Sequence, residues 1–170
     1  MIKIFLILYF SFFLDYNIDS FFEKNMNKEI KKLMIFISNT CEKENYFLFI
    51  NSYTIFKNDL KPFYITSSSL FLTSAITYIL KGVTNRERPE GNSSRWNSSF
   101  PSGHAATAFA FANSFSKIEK KYKIPLFLWA FTVSFSRIYL RKHWFTDTVA
   151  GAGIGLFISE IIYKNFWVMK

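Results

Sequence analysis

The chain has two histidines, His104 and His143, and both stand among residues suited to breaking a phosphate ester. Asp147 follows His143 by four positions. A carboxylate that bonds one ring nitrogen of a histidine fixes the tautomer and leaves the other nitrogen free to attack an electrophile. On a helix this spacing places both side chains on one face, a turn apart. The pair therefore predicts a nucleophilic histidine, His143, that Asp147 orients.

The plain alternative for this pair is an ordinary helix-stabilising contact, which contributes only about 0.2–0.5 kcal/mol. The same spacing continues at Gly151 and Gly155, however, which form a G-x-x-x-G pattern. Small residues at this spacing let a second helix approach closely. We therefore expect His143 and Asp147 to point into a helical bundle rather than into solvent.

The segment Pro101-Ser102-Gly103-His104 leads from a polar stretch into an alanine-rich one. Ser102 can cap the helix that follows, and the free N–H groups of the first helical turn form an anion site. Gly103 lets the backbone approach a bound oxyanion. Capping does not explain His104, which we assign as the general acid for the leaving oxygen. Because His143 must be neutral and His104 charged, a bell-shaped dependence of rate on pH is expected.

Lys81, Arg88 and Arg137 are predicted to bind the phosphoryl oxygens. A cation about 4 Å from a phosphate charge contributes roughly 4 kcal/mol at an effective dielectric constant near 20. Phosphate esters hydrolyse very slowly unaided, so positioning and charge stabilisation are the main tasks of such a site. The remaining cations nearby are assigned to the surroundings of the site or to the surface: Arg86, Arg95, Arg141 and Lys142.

The composition suits a single domain over residues 1–170. The chain contains 22 phenylalanines and carries a formal net charge of +9. That charge indicates an anionic membrane surface or an anionic substrate rather than nucleic acid, because no nucleic-acid motif is recognisable. The single cysteine, Cys41, excludes an internal disulfide and any zinc-ligand spacing. Neither a metal nor a cofactor is predicted.

The lengths of the apolar segments favour up to six helices and no strands, with residues 15–45 as an amphipathic surface stretch. The run 63–80 carries no charge and approaches the about 20 residues that a spanning helix needs. For residues 1–14 a retained anchor is favoured over a cleaved signal, because no small-residue cleavage site follows. Alternation then places the polar stretch 81–103 and the segment 137–147 on the non-cytoplasmic side, with weak support from the positive-inside rule.

In these residues the chain resembles the type 2 phosphatidic acid phosphatase (PAP2) superfamily, which includes lipid phosphatases and vanadium haloperoxidases. All its motif positions are filled within residues 81–147, by Lys81, Arg88, Pro89, Pro101, Ser102, Gly103, His104, Ser136, Arg137, His143 and Asp147. The resemblance implies an all-α membrane helical bundle of about five to six helices. It also implies metal-independent hydrolysis through a phosphohistidine on His143, with Asp147 orienting it, His104 as acid, and phosphate bound by Lys81, Arg88, Ser102, Gly103 and Arg137.

By analogy with membrane members, the expected substrate is a lipid phosphate or diphosphate. The protein is expected in the inner membrane, with its active site on the periplasmic or extracellular side. No obligate protein partner is expected. The subtypes considered are lipid A phosphatases, undecaprenyl diphosphate phosphatases and phosphatidylglycerophosphate phosphatases. The stretch 88–91 leading to 99–104 is most similar to lipid A phosphatases. Two other classes stay open: an oxidoreductase similar to the vanadium haloperoxidases, and a non-catalytic membrane protein that binds lipid.

Overall fold

A computed structural model describes residues 2–91 and 93–168, and every regular element in this part of the chain is a helix. The seven α-helices are α1 (Ile2–Lys24), α2 (Lys28–Asn39), α3 (Lys43–Lys57), α4 (Lys61–Thr84), α5 (Gly103–Ile118), α6 (Lys123–Tyr139) and α7 (Phe145–Val168). Short 3₁₀ helices, Arg95–Asn97 and Lys120–Tyr122, precede α5 and α6. The predicted all-α bundle is confirmed. It has one helix more than the highest expected count, because residues 28–39 form a separate helix.

Helix α5 lies at the centre of the bundle and contacts α4, α6 and α7. Its small side chains allow this central position, since five alanines of α5 are fully buried: Ala105, Ala106, Ala108, Ala110 and Ala112. Phe109, Phe111 and Phe115 of the same helix join α3 and α6 in the main hydrophobic cluster. Helix α3 contributes Tyr46 and Ile50 to that cluster.

The helix ends separate into two groups at opposite ends of the bundle. At one end, Tyr53 of α3 donates to Glu119 after α5, and Lys117 Nζ lies 2.8 Å from Glu160 Oε2 of α7. At the other end, the Ser102 N–H before α5 donates to the Asp147 carbonyl of α7 over 3.0 Å. The predicted site residues all lie at this second end, which we call the site end.

Glycine spacing on α7 sets how closely that helix approaches α5. A side chain at Gly151 would collide with the backbone carbonyl of Ser102, and one at Gly155 with the carbonyl of Ala106. A side chain at Gly153, on another face, would meet no atom within 4 Å. The G-x-x-x-G prediction of a close helix approach is therefore confirmed, and the partner is α5.

Two predicted element boundaries are wrong, and local backbone chemistry explains both. Helix α4 continues to Thr84 and ends at Asn85, whose φ is 46°, so Lys81 lies in its last turn and not in a loop. His143 precedes α7 and does not share a helical face with Asp147. Instead Arg141 takes a φ of 55° after α6, and Asp147 Oδ2 accepts the Trp144 N–H over 2.9 Å at the start of α7.

Helices α1 and α2 cover the site end. Helix α1 continues well beyond the anchor predicted for residues 1–14, and Asp19 and Glu23 on it accept hydrogen bonds from Arg141. Asn27 caps α2 by accepting the N–H groups of Glu29 and Ile30. At its far end, Ser38 accepts a hydrogen bond from Arg137 over 2.5 Å.

Two of the described helices, Lys61–Thr84 and Phe145–Phe166, are long and apolar enough to cross a membrane. Large apolar side chains on the outer faces of the bundle are exposed, with 77% of Phe71 and 68% of Phe157 accessible. Such surfaces suit contact with lipid tails better than contact with water.

The Gly151–Gly155 contact predicts unequal effects of three matched alanine substitutions on α7. Alanine is about 1 kcal/mol better than glycine in a helix, whereas overpacking against fixed backbone costs about 1–3 kcal/mol. Gly153→Ala should therefore keep or raise the unfolding temperature in detergent. Gly151→Ala and Gly155→Ala should lower it by several degrees, at about 2–4 °C per kcal/mol for a chain of this size. Equal melting temperatures for all three variants would contradict the close approach.

Candidate active site

The His143 ring is held by a backbone carbonyl at the site end. Only 3% of His143 is exposed, and its Nδ1 lies 2.7 Å from the carbonyl oxygen of Ser99. A carbonyl can only accept, so Nδ1 carries the proton and Nε2 carries the lone pair. Burial, helped by the charges of Lys81 and Arg137 and opposed by Asp147, lowers the pKa of His143 to about 4. The ring is thus neutral near pH 7 and has a free nucleophilic nitrogen.

Asp147 is fully buried in the first turn of α7 and organises the backbone around His143. Its Oδ2 accepts the Ser99 hydroxyl and the Trp144 N–H. The same oxygen lies 3.9 Å from His143 Nδ1, which is too far for a hydrogen bond but close enough for charge interaction. Asp147 therefore acts on His143 through its charge and by holding Ser99, whose carbonyl receives the ring proton.

The Pro101–His104 segment starts α5 as its sequence predicts. Ser102 is buried, and its Oγ accepts the Ala105 N–H over 3.4 Å as the N-cap of the helix. A side chain at Gly103 would meet no atom within 4 Å, so the first turn is open on that side. Open N–H groups at a helix start are suited to binding an anion.

Lys81 and Arg88 are tied to the loop before α5. Lys81 donates to the Ser98 carbonyl, and the Ser98 hydroxyl donates back to the Lys81 carbonyl over 2.8 Å. Arg88 donates to the Asn97 side chain over 2.7 Å and to the Lys142 carbonyl over 3.0 Å. These partners are neutral, so neither charge is cancelled by a bonded carboxylate.

Arg137 has a similar setting in the last turn of α6. Its Nη1 donates to Ser38, and its buried Nε has no hydrogen-bond partner among the described residues. A buried guanidinium nitrogen without an acceptor is costly, and a bound oxyanion would satisfy it. Ser136 beside it donates to the Val133 carbonyl over 2.6 Å, so this motif residue serves the helix itself.

His104 lies in the first turn of α5, outside the two helices long enough to span a membrane, and 27% of its side chain is exposed. Its Nε2 is 3.8 Å from Glu42 Oε1. Burial, reinforced by the positive charges around it, lowers the pKa of His104 to about 3. Charges that act on it include Arg137, Arg88 and Lys81, which also act on His143. Both histidines and the three predicted cations therefore share one small region.

Three residues of this region were not among the predicted site residues. Ser99 holds both His143 and Asp147. Arg86, assigned to the surroundings or surface, donates to Asp147 Oδ1 over 2.6 Å and to Asp15 Oδ2 over 2.7 Å. A signal for Asp15 existed in the sequence, since it is a carboxylate that directly follows the first apolar run.

The other surrounding cations behave as expected: Arg95 is exposed, Arg141 pairs with Asp19 and Glu23, and Lys142 pairs with Glu90.

Comparisons with known proteins agree with this arrangement. The chain is 35% identical over 87 residues to a lipid A 1-phosphatase of Porphyromonas gingivalis, covering 49% of this chain and 18% of that protein. It is 44% identical over 66 residues to a lipid A 4'-phosphatase of Bacteroides thetaiotaomicron, covering 38% of this chain and 29% of that protein. The chain thus matches less than a third of the length of either relative.

The fold is similar to the crystal structure of a transmembrane PAP2 type phosphatidylglycerolphosphate phosphatase from Bacillus subtilis. The TM-score is 0.79 over 92% of this chain and 86% of that one, at 20% sequence identity. The model of the PAP2 superfamily matches residues 63–169, which include every predicted site residue. Since this match covers more than half of the chain, the protein belongs to the PAP2 superfamily.

Proposed function

We propose that this protein is an integral membrane phosphatase that hydrolyses a lipid phosphate or diphosphate through a phosphohistidine on His143. The observation that carries the proposal is the convergence of three cations and two histidines on one region of the site end. Lys81, Arg88 and Arg137 act electrostatically on both His104 and His143. Such a cluster of positive charge without bonded carboxylates is suited to a phosphoryl group.

The chemistry proceeds in two balanced steps. In the first, His143 Nε2 attacks phosphorus, so that a P–N bond forms while the P–O bond to the lipid breaks and His104 gives its proton to the leaving oxygen. In the second, water attacks phosphorus, the P–N bond breaks, and His104 takes the proton from that water. Lys81, Arg88 and Arg137 stabilise the charge on the phosphoryl oxygens in both steps. Asp147 stabilises the positive charge that the His143 ring carries in the intermediate.

A membrane lipid is the substrate class that fits the surroundings of the site. Two helices that carry site residues, α4 with Lys81 and α7 with Asp147, are long enough to span a membrane. The outer faces of the bundle expose large apolar side chains. Two of the aligned relatives are lipid A phosphatases, which supports lipid A over undecaprenyl diphosphate or phosphatidylglycerophosphate as the preferred substrate.

The distribution of charge supports a site on the periplasmic or extracellular face. The end of the bundle opposite the site carries the basic segment 117–123 together with Lys57 and Lys164. The opposite end is therefore the better match for the positive, cytoplasmic side.

The proposal predicts phosphate release from lipid by the purified protein in detergent and EDTA. The panel comprises lipid A, undecaprenyl diphosphate, phosphatidylglycerophosphate and phosphatidic acid. His143→Ala should lower kcat by at least about a hundredfold, because no other group replaces the attacking nitrogen. Asp147→Asn should also reduce kcat strongly, whereas Arg95→Ala, an exposed cation of the same polar loop, should keep full activity.

Retention of more than about a tenth of wild-type activity by a folded His143→Ala protein would contradict the nucleophilic role. Absence of release from every lipid by the wild-type protein would contradict the phosphatase function itself. Peroxide- and halide-dependent oxidation in the presence of vanadate would then point to haloperoxidase chemistry.

The two histidines predict a bell-shaped pH profile for kcat. The pKa of His143 is about 4 in the free protein, which sets the acid limb of kcat/KM. The bound phosphate raises this pKa as well, so the acid limb of kcat lies at higher pH, and protonation of the ring stops the attack. His104, with a pKa of about 3, becomes an effective acid only when the phosphate charge raises that value, and activity falls when the bound complex loses this proton. His104→Gln should remove the alkaline limb.

The general-acid role of His104 can be tested by comparing two substrates whose leaving oxygens differ in their need for a proton. The loss of kcat in His104→Gln should be large for a lipid phosphate and small for p-nitrophenyl phosphate, whose leaving oxygen needs no proton. Equal losses on both substrates, or a flat wild-type profile between about pH 5 and 8, would rule out this assignment.

A further inference from the structure

A buried carboxylate on α1 reaches the site through a chain of charged hydrogen bonds. Asp15 is only 2% exposed. Its Oδ1 accepts the Thr146 N–H over 2.9 Å, and its Oδ2 accepts the Thr146 hydroxyl over 2.6 Å and Arg86 Nη2 over 2.7 Å. Thr146 immediately precedes Asp147 in the first turn of α7. Asp15 thus bonds the backbone and side chain of the residue next to Asp147.

Arg86 connects the two carboxylates. It donates Nη1 to Asp147 Oδ1 over 2.6 Å and Nη2 to Asp15 Oδ2. It also lies between the rings of Phe12, at 5.9 Å, and Trp144, at 5.5 Å. The three charges Asp15, Arg86 and Asp147 sum to −1, and without Asp15 they would sum to zero. Asp15 therefore decides whether the charge of Asp147 is cancelled by Arg86.

We propose that Asp15 is a positioning residue that neutralises Arg86, so that Asp147 keeps the negative charge that His143 needs during phosphoryl transfer. The inference rests on the proposed function and assigns a catalytic task to a helix that carries none of the PAP2 motif residues. When His143 takes the phosphoryl group, its ring becomes positive, and the uncancelled Asp147 charge stabilises that state. Asp15 also fixes the start of α7, from which Asp147 projects.

Docking of α1 does not by itself account for Asp15. Arg141 already holds this helix, since it bonds Asp19 over 2.8 Å and 2.9 Å and Glu23 over 2.5 Å. A buried ion pair is itself weak support for stability, because desolvation of the charges offsets their attraction. A second buried pair aimed at Asp147 is better explained by its effect on that carboxylate.

The effect on His143 has to be judged among all the charges around it. Five charged or titratable groups act on His143 or Asp147 directly: Lys81 of α4, Arg86 and Arg88 of the polar loop, His104 of α5 and Arg137 of α6. Around them, Asp15 of α1 pairs with Arg86, Glu42 before α3 lies near His104, and Glu90 of the polar loop pairs with Lys142 before α7. Most of them are positive and disfavour a positive ring. Removing the Asp15 charge should therefore make protonation of His143 harder, not easier.

The test compares Asp15→Asn with Asp19→Asn, a matched loss of one charge on the same helix one turn away. Asparagine at position 15 keeps one oxygen that can accept the Thr146 N–H, but its NH2 group replaces the oxygen that accepts from Arg86 and cannot neutralise that charge. Asp15→Asn should lower kcat by about tenfold or more and leave KM within about twofold. The acid limb of its pH profile for kcat should move to lower pH. Asp19→Asn should leave the acid limb in place. An acid limb in Asp15→Asn that matches the wild type would overturn the proposal.

Charge restoration separates an electrostatic role from a structural one. Asp15→Asn/Arg86→Gln returns the sum of the three charges to −1, so its acid limb should return towards the wild-type position. Arg86→Gln alone leaves a sum of −2 and should move the limb to higher pH. If Asp15→Asn fails to fold, the double variant and Arg86→Gln still decide the matter. Identical acid limbs in those two proteins would refute charge control by Asp15.

Failure of the proposed function can be distinguished from failure of this inference. The chain has two histidines, so ¹⁵N-histidine NMR of protein purified without a histidine tag gives two ring titrations. The His104→Gln variant lacks one of them, and the remaining titration is that of His143. The His143 midpoint should fall by about half a unit or more in Asp15→Asn and stay unchanged in Asp19→Asn. Absence of phosphate release by the wild-type protein would refute the function alone. An unshifted His143 midpoint in Asp15→Asn would refute the inference alone.

Discussion

The contact between α5 and α7 is the constraint on which the site depends. Gly151 and Gly155 allow the α5 carbonyls of Ser102 and Ala106 to touch α7, where any side chain would collide with them. At this distance the Ser102 N–H reaches the Asp147 carbonyl. The helix start that can bind an anion and the segment that carries His143 are thereby joined, although they are far apart in sequence. Without that approach the motif residues would share a bundle end but not a site.

Charge is distributed at the site end according to function. Three cations of this end that are not assigned to phosphate binding are paired with carboxylates: Arg86 with Asp15 and Asp147, Arg141 with Asp19 and Glu23, and Lys142 with Glu90. Lys81 and Arg88 instead bond to neutral groups, and Arg137 keeps a buried Nε without a partner among the described residues. Burial, reinforced by this uncancelled charge, lowers the pKa of both histidines and keeps them neutral in the free protein. In the proposed mechanism an incoming phosphate dianion raises the pKa of His104, so that the substrate itself makes this histidine an effective acid.

The predictable part of the molecule is the part encoded in local spacing. The motif residues predicted site groups that the fold brings to one end of the bundle, the G-x-x-x-G pattern predicted a close helix contact, and apolar runs located helices α3 to α7. Capping hydrogen bonds shifted their ends, which placed Lys81 inside α4 and His143 outside α7. The link from Asp15 to Asp147 was not predictable, since it depends on α1 folding over Arg86, 71 positions later in the chain. Ser99 was missed because it holds His143 through its backbone carbonyl, which no residue pattern encodes, and because its hydroxyl bonds a residue 48 positions later.

The central claim is a covalent intermediate on His143, and trapping it is the most direct test. A ³²P-labelled lipid phosphate would be mixed with the protein, quenched in alkali within the first turnover, and the labelled peptide identified. A phosphohistidine resists alkali and is lost in acid, and each of the two histidines can be assigned to its own peptide. The account predicts alkali-stable label on the His143 peptide and none on that of His104. Turnover without any labelled protein, or label on another residue, would contradict it.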